Sequence, residues 1–391
     1  MNNYPTYKLS EIARSTKGKK PKSVSKEKTD GFEIPYVDIK AFEKGIVDNY
    51  TDGENCTFCK PDDVLIVWDG ARCGFVGRGV EGAIGSTLAK ISSDKYTNDF
   101  LFYFLQSKYK VLNSNPRGVG IPHIEPNLLW NFEIPDVDKN TQRAIVSRIE
   151  TLFAELDKAV QHLRTARQQL KTYRQAVLNH WLNNEDGKWE MVKIESVADV
   201  VSGYAFKSNL FKDSGKYQII RIGNIRPGII RIKESPVYYD EIPSGTCSKV
   251  LLKKKDVVIT LTGTRKKRDY GYTAMVTQEN LLLNQRLAYF RFDNKQYDPA
   301  FFLYYSWTDS FKDDFFSYET GNVGQGNVGI KAITKTEIPL PPLAEQQRIV
   351  KEIESRLSQA TASETYIENA LQQAEALRQS ILKKAFSGEL V

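Results

Sequence analysis

The chain is written twice. Matching residues recur at one constant separation of 204 positions: Ile134-Pro135 answers Ile338-Pro339, Gln142 answers Gln346, and Ile145-Val146 answers Ile349-Val350. Further on, Ile149-Glu150 matches Ile353-Glu354, Gln168-Gln169 matches Gln372-Gln373, and Arg174-Gln175 matches Arg378-Gln379. A two-fold repeat of this size is too long for a solenoid unit and implies two similar modules in pseudo-symmetric arrangement. Two related modules at a fixed separation can read two related sites at a fixed separation.

Two long polar stretches read as helices. In the first, apolar positions run Ile145, Ile149, Leu152, Leu156, Ala159, Leu163, Ala166, Leu170, Tyr173, Val177. Spacings of four and three alternate without a break, the heptad signature of a coiled-coil seam. At about 1.5 Å per residue this stretch spans roughly 50 Å. The constant separation gives a second seam: Ile349, Ile353, Arg356, Ala360, Ser363, Ile367, Ala370, Ala374, Leu377, Ile381. Antiparallel pairing sets Leu152 against Ala374, Leu156 against Ala370, Ala159 against Ile367 and Leu163 against Ser363. Large then meets small at successive layers, as close packing requires, so an intramolecular antiparallel pair is expected. The competing arrangement sets each seam against another protein. Pro341-Pro342 cannot lie inside a helix, so the second helix should start near Ala344, and Gly187 and Gly388 fall where the helices should stop.

The segments between the helices repeat more faintly. Lys8-Leu9 with Ile12-Ala13 resembles Lys193-Ile194 with Val197-Ala198, and Tyr36-Val37-Asp38-Ile39 parallels Ile219-Ile220-Arg221-Ile222. Asp63-Val64-Leu65-Ile66, then Gly70 and Arg72, parallels Asp256-Val257-Val258-Ile259, then Gly263 and Arg265. Val119-Gly120-Ile121 is matched to Val328-Gly329-Ile330. The short Val-, Ile- and Tyr-rich runs punctuated by Gly read as strands. Phe100–Leu105 and Phe301–Tyr305 fit a buried helix or a strand equally well, because periodicity cannot decide over so few residues.

Chemistry motifs are mostly absent. Gly77-x-Gly79-x-x-Gly82 and Gly324-x-Gly326-x-x-Gly329 fit the bare dinucleotide pattern, but neither lies between a clear strand and a long helix. Both are read as tight loops. No phosphate-cradling Gly-x-x-x-x-Gly-Lys-Ser/Thr loop and no His-Glu-x-x-His is present. Cys56-x-x-Cys59 lacks a second pair at finger-like spacing, so buried thiols are expected and no metal. Asp63, mirrored by Asp256, is expected to be structural. With no apolar run of membrane length and no signal-peptide pattern at the N-terminus, the expectation is a cytoplasmic protein.

Binding chemistry remains. The net charge is +7, and residues 1–30 hold eight Lys/Arg against three acids. Lys253-Lys254-Lys255 and Arg265-Lys266-Lys267-Arg268 stand against Asp256 alone. Such runs suit phosphate backbones, although a basic run is often only a solvated face; one in each half strengthens the first reading. Sequence is read from DNA by Arg, Lys, Asn and Gln at base edges, while Lys, Arg and backbone N–H groups hold phosphates. Candidates in the first half are Lys17, Lys19, Lys20, Lys22, Arg72, Arg78, Arg117 and His123. In the second half they are Tyr204, Lys207, Arg221, Asn224, Arg265, Lys266, Lys267, Arg268, Gln285, Arg286, Asn322, Gln325 and Asn327. No catalytic and no metal-ligating set emerges.

The run Ile338-Pro339-Leu340-Pro341-Pro342-Leu343-Ala344-Glu345-Gln346-Gln347-Arg348-Ile349-Val350 strongly resembles the conserved region of type I restriction-modification specificity subunits. So do the ending Leu377-Arg378-Gln379-Ser380-Ile381-Leu382-Lys383-Lys384-Ala385-Phe386-Ser387-Gly388-Glu389-Leu390 and the segment Ser202-Gly203-Tyr204-Ala205-Phe206-Lys207-Ser208. The first copy departs from the pattern: Ile134-Pro135-Asp136-Val137-Asp138 replaces the Pro-Pro run, and His180-Trp181 stands for Lys384-Ala385. The resemblance covers the whole chain. It implies an α+β protein with two α/β target-recognition domains separated by two long antiparallel coiled-coil helices, a pseudo-two-fold internal repeat. The expected boundaries are 1–141 for the first recognition domain and 142–184 for a central conserved helix. The second recognition domain follows at 185–341 and a C-terminal conserved helix at 342–391.

Such a subunit is expected to be non-catalytic, each recognition domain binding one half of a split, asymmetric site on double-stranded DNA. The helical pair would set the gap and dock two modification (methyltransferase) subunits, with restriction (ATPase/nuclease) subunits joining the complex. No cofactor is expected on this chain; S-adenosylmethionine, ATP and Mg belong to the partner subunits. Two other classes compete. An enzyme would need an Asn/Asp-Pro-Pro-Tyr/Phe methyltransferase motif or a nuclease carboxylate–lysine spacing, and neither is seen. An interaction protein would use its helices only to dimerise, a reading that salt-sensitive, sequence-specific DNA binding would oppose.

Overall fold

The computed structural model describes residues 4–118, 120–184, 186–240, 247–322 and 324–390. They form two compact units: Met1–Thr165 with Ile367–Val391, and Ala166–Tyr366.

In the first unit, Val64–Val67 is buried along its whole length, as its unbroken Val/Leu/Ile run requires. It is a central strand of an antiparallel sheet ordered Arg14–Lys17, Leu88–Ser92, Val64–Val67, Val76–Arg78. Ile34–Val37 pairs in parallel with Gly82–Ile84, and Thr6–Lys8 pairs antiparallel with Glu133–Pro135. The stretch Phe100–Leu105 is helical, within Asn98–Ser114. The Thr97 side chain caps that helix by accepting the Phe100 N–H.

The second unit repeats this plan. Its sheet runs Ala198–Ser202, Leu287–Phe292, Val257–Thr260, Thr273–Met275, all antiparallel. Tyr217–Ile220 pairs in parallel with Leu281–Leu283, and Met191–Lys193 pairs antiparallel with Glu337–Pro339. Phe301–Tyr305 is also helical, in Pro299–Tyr305, with Pro299 in the first turn and Asp298 as its cap. Asp63 and Asp256 are structural in the same way. Asp63 accepts the Lys60 backbone N–H and pairs with Lys90, while Asp256 accepts the Lys253 N–H and pairs with Arg291.

One expected correspondence is misaligned. Ile124 N–H donates to Trp68 O at 2.9 Å, and Val328 N–H donates to Leu261 O at 3.0 Å. The counterpart of His123-Ile124 is therefore Asn327-Val328. The expected match at Val119 rests on a shared Val-Gly-Ile string and not on backbone position, and Val119 itself lies outside the described residues.

Each long helix has 44 residues, Lys139–Leu182 and Leu343–Phe386. Within the first unit, Ile145, Val146, Ile149 and Phe153 share a core with Ile381, Leu382 and Ala385. Within the second, Val177, Leu178 and Leu182 share a core with Ile349, Val350 and Ile353. In each unit, early turns of one helix meet late turns of the other, which is antiparallel pairing.

The seams differ from the strict heptad reading. Ala159 and Tyr173 are exposed, while Val160 and Arg174 are half-buried in their places. In the second helix Arg356, Ser363 and Leu377 are exposed, and Leu357, Glu364 and Arg378 take over. A straight α-helix turns every 3.6 residues, so its buried stripe drifts by about 20° per heptad against a 3.5-residue repeat, and neighbouring positions come into the stripe at some turns. The charged residues this brings into the stripe are partnered. Arg174 Nη2 donates to Thr361 Oγ1 and Glu364 Oε2, each at 3.1 Å, and Arg378 pairs with Asp157 while lying 4.3 Å from the Phe153 ring centre.

Gly388 adopts φ +79° just past the second helix, as a helix stop requires. The first helix ends at Leu182, short of Gly187. There Asn184 takes over, its side chain exchanging two 2.8 Å hydrogen bonds with the Trp189 backbone. Among the described residues, no helix is long and apolar enough to cross a membrane.

Candidate nucleic-acid interface

In the first unit the strand Arg14–Lys17 runs into a tight crossing. Gly18 N–H donates to Leu88 O at 2.9 Å and Lys19 N–H to Ile84 O at 3.1 Å. A Cβ at Gly18 would stand 2.2 Å from Gly85 O, so only glycine fits. Beside this crossing, Trp68 N–H donates to Thr87 O at 2.8 Å, and the next residue, Asp69, forms a bridge with His123. His123 also bridges Arg117 through two backbone hydrogen bonds.

These contacts gather Lys17, Asp69, Arg117 and His123. Lys17 Nζ lies 2.8 Å from Asp69 Oδ2, and His123 Nδ1 lies 2.6 Å from Asp69 Oδ1. Burial works against the Asp69 charge, but the hydrogen bonds from Lys17 and His123 outweigh it and hold the carboxyl below its ordinary range. An ionised Asp69 accepts only, so the proton between it and His123 sits on Nδ1. The His123 side chain remains 45% exposed.

The second unit builds the same frame from different side chains. Gly203 N–H donates to Leu287 O, Tyr204 N–H to Leu283 O and Leu261 N–H to Arg286 O, each at 2.9 Å. The three-stranded sheet that follows orders Thr262–Gly263, Gly326–Asn327 and Thr320–Gly321. Tyr204 thus stands where Lys19 stands, and Asn327 where His123 stands. Arg265 Nε donates to Glu319 Oε2 at 2.9 Å, and Tyr270 donates its hydroxyl to Glu319 Oε1 at 2.5 Å. The Tyr270 hydrogen bond, helped by the hydrogen bond and charge of Arg265, holds the Glu319 carboxyl below its ordinary range against the effect of burial. Arg268 (φ +45°) lies over the Phe316 ring at 4.8 Å, and Lys266 and Lys267 are exposed on the same turn.

The remaining candidates divide. Lys19, Lys20 and Lys22 are exposed on the segment after the crossing, beside Lys17. Gln285 and Arg286 (φ +70°) are exposed next to Tyr204, whose carbonyl accepts the Gln285 N–H at 2.9 Å. Asn322 Oδ1 accepts the Gly324 and Gln325 N–H groups, shaping a hairpin that exposes Gln325. Lys207 is exposed, and its carbonyl accepts the Tyr239 hydroxyl at 3.3 Å.

Others are engaged elsewhere in the fold. Arg72 pairs with Glu43 at 2.7 Å and lies over Phe75, and Arg78 pairs with Asp99 and lies over Phe102. Arg221 donates to Ser235 O at 2.6 Å. Asn224 has a different job from base reading. It is 3% exposed, accepts the Arg221 N–H, and gives both amide hydrogens to Arg231 O and Glu234 O. Its hydrogen-bonding capacity is spent on the loop.

The basic run at 253–268 is also not one patch. Lys253–Lys255 precede the strand Val257–Thr260 and Arg265–Arg268 follow it, so a buried strand separates them. Asp69 and Glu319, the carboxylates that orient the cations, escape a search for positive charge. Their signal is position: Asp69 directly precedes Gly70, and Glu319 adjoins the strand Thr320–Gly321.

The glycine motif at Gly77 links two strands, Val76–Arg78 and Gly82–Ile84, with no helix after it. Cys59 is buried and donates to Val80 O at 2.7 Å, and burial pushes its thiol up to about 11.

The sequence matches the Type I restriction modification DNA specificity domain over residues 1–163 and 186–373. It is similar to the type I restriction enzyme MjaVIII specificity subunit of Methanocaldococcus jannaschii, 27% identical over 89% of this chain and 84% of that one. The EcoBI specificity subunit of Escherichia coli is 24% identical over 91% and 80%. In fold, the chain is similar to one from a study of complex assembly and conformational transition of the type I R-M system. That likeness has a TM-score of 0.76 and 19% identity, over 100% of this chain and 99% of that one. The HsdS subunit from Thermoanaerobacter tengcongensis is similar with a TM-score of 0.59 and 20% identity, over 100% and 98%.

Proposed function

The chain belongs to the family of type I restriction-modification specificity subunits, and from that premise we propose how it recognises DNA. Each unit reads one half of a split, asymmetric site on double-stranded DNA, and the long helices set the gap between the halves. The polar outer faces of those helices dock two modification subunits, and restriction subunits complete the complex. The chain is non-catalytic. S-adenosylmethionine serves adenine methylation on the modification subunits, and ATP and Mg serve translocation and cleavage on the restriction subunits.

One observation carries this reading. The same backbone frame recurs in both units and presents different polar side chains at matching positions, Lys19 against Tyr204 and His123 against Asn327. A constant frame with variable polar side chains suits a pair of readers for two unlike sequences. The cations around each frame, Lys17, Lys19, Lys20, Lys22 and Arg117 in one unit and Arg265, Lys266, Lys267 and Arg268 in the other, supply phosphate contacts.

The test is a genome-wide map of methylated adenines in the source cell, with and without this gene. Loss of one split motif supports the reading and supplies both half-sites and the gap. A map unchanged by deletion, together with salt-insensitive binding of the purified chain to DNA, would overturn it. Incubation of the isolated chain with S-adenosylmethionine and DNA should transfer no methyl group.

A further inference from the structure

Position 123 of the first unit and position 327 of the second are one structural position. Each residue sits in a short strand bridged on both sides: His123 by Asp69 and Arg117, Asn327 by Thr262 and Thr320. Each is followed by a residue whose N–H ties that strand to the end of the central sheet, Ile124 to Trp68 and Val328 to Leu261. The backbone is thus rigidly held on both sides, while the side chains remain part-exposed. Both residue types offer hydrogen-bonding groups of defined polarity to a base edge.

We infer that His123 and Asn327 are base-reading side chains, one for each half-site, and that Asp69 sets the polarity of the first. This inference rests on the DNA-recognition reading above. Asn327 carries an amide whose oxygen and nitrogen match the N6 donor and N7 acceptor of adenine, a pairing made by no other base. Its own backbone is fully occupied by the sheet, pairing with Thr262 and Thr320 and accepting the Thr320 hydroxyl at 3.0 Å. The amide is the part left to act outward.

His123 works by a fixed tautomer. Nδ1–H points at Asp69 Oδ1 at 2.6 Å, so whenever the ring carries a single N–H its acceptor is Nε2. Its complement in the major groove is an exocyclic amino group, N4 of cytosine or N6 of adenine. Lys17 on the other carboxylate oxygen fixes the Asp69 plane, which orients the imidazole. Asp69 is accordingly a positioning residue that touches no base.

The experiment replaces the gene in the source cell by variants and maps methylated adenines, with the parental and deleted strains as references. His123→Ala should relax one base pair in one half-site, by roughly 10- to 100-fold in discrimination, and leave the other half-site and the gap intact. Asn327→Ala should relax an A·T pair in the opposite half-site. Asp69→Asn keeps the contact but makes the amide the donor to Nδ1, so Nε2 gains the hydrogen. The base preference at the His123 position should then move toward guanine or thymine, whose N7 and O6, or O4, accept.

A merely structural role for Asp69 would weaken all sequences alike and produce no such exchange. Motifs as strict as the parental one in both alanine variants would overturn the inference, as would relaxation by both at the same half-site. Where an alanine variant abolishes modification, Asp69→Asn decides: an unchanged preference at full modification rate overturns the assignment of His123. If deletion of the gene leaves the parental map unaltered, the DNA-recognition reading itself has failed, an outcome distinct from these.

Discussion

Gln142 fastens Thr97: its Oε1 accepts the Thr97 backbone N–H at 2.9 Å, while its Nε2 donates to Val137 O at 2.9 Å. Gln346 does the same in the other unit, accepting the Asp298 N–H at 2.7 Å and donating to Pro341 O at 2.8 Å and Gln296 O at 3.1 Å. Both glutamines are buried, at 1% and 0% exposure. Each ties the first turns of a long helix to the cap of a second helix in its own unit, Asn98–Ser114 or Pro299–Tyr305. The repeat first visible as two matching glutamines is therefore a repeated joint.

Replacing Gln346 by Leu removes its hydrogen bonds to the Asp298 N–H and to the Pro341 and Gln296 carbonyls, the Pro341 contact buried and the other two part-buried. At about 1–3 kcal/mol for a buried unsatisfied group, a loss of roughly 2–4 kcal/mol is expected. Urea unfolding followed by tryptophan fluorescence measures it, and Gln142→Leu should cost a similar amount in the first unit. A loss below about 1 kcal/mol in both would mean that water replaces the amide and that the joint adds little.

Acid should loosen both carboxylate clamps. Asp69 and Glu319 are held below their ordinary range, so the folded state favours their ionised forms. That stabilisation is present above the unfolded-state values, near pH 4, and is lost as pH falls through the lower folded-state values. The melting temperature of the parental protein should therefore fall more steeply between about pH 5 and pH 3 than that of Asp69→Asn or Glu319→Gln. Parallel curves would show that neither clamp contributes to folding.

The parts legible in the sequence are those set by local pattern. Short Val- and Ile-rich runs form strands at Val64–Val67 and Val257–Thr260, and the Pro341-Pro342 step places the helix start at Leu343. The seams drift because an alternating 4-3 spacing and a 3.6-residue helix agree only over a few turns, which is why Val160 and Arg174 replace Ala159 and Tyr173. Asn224 resembles a base reader in sequence because residue type carries no information on how many of its hydrogen bonds the loop will take. The Asp69–His123 contact joins residues far apart in sequence, through a strand too short to leave a periodic signal.

Lys266 and Lys267 give the cleanest test of the cationic turn, because Arg265 is also bonded to Glu319 and its removal would disturb the fold. Reversing both lysines to Glu should weaken binding to every sequence alike. The slope of log affinity against log salt should fall by about 0.9 for each phosphate that is no longer neutralised, up to about 1.8 for the pair. Reversal of all four residues, Arg265 to Arg268, should lower it further. An unchanged affinity and slope would remove this turn from the DNA surface.

The role proposed for the helices predicts how the gap responds to their length. The boundary between the units falls after Thr165 in the first helix and after Tyr366 in the second, so residues added there leave the packing within each unit untouched. Seven residues make nearly two turns, which shifts the buried stripe by only about 20° while adding roughly 10 Å. Seven residues inserted at both points should therefore lengthen the tolerated gap by about three base pairs, at about 3.4 Å each, with both half-sites unchanged. The same insertion in one helix alone sets the two lengths in conflict and should lower the melting temperature and abolish modification. A methylation map in which matched insertions retain the parental gap would rule out the helices as its determinant, leaving the docked subunits to set it.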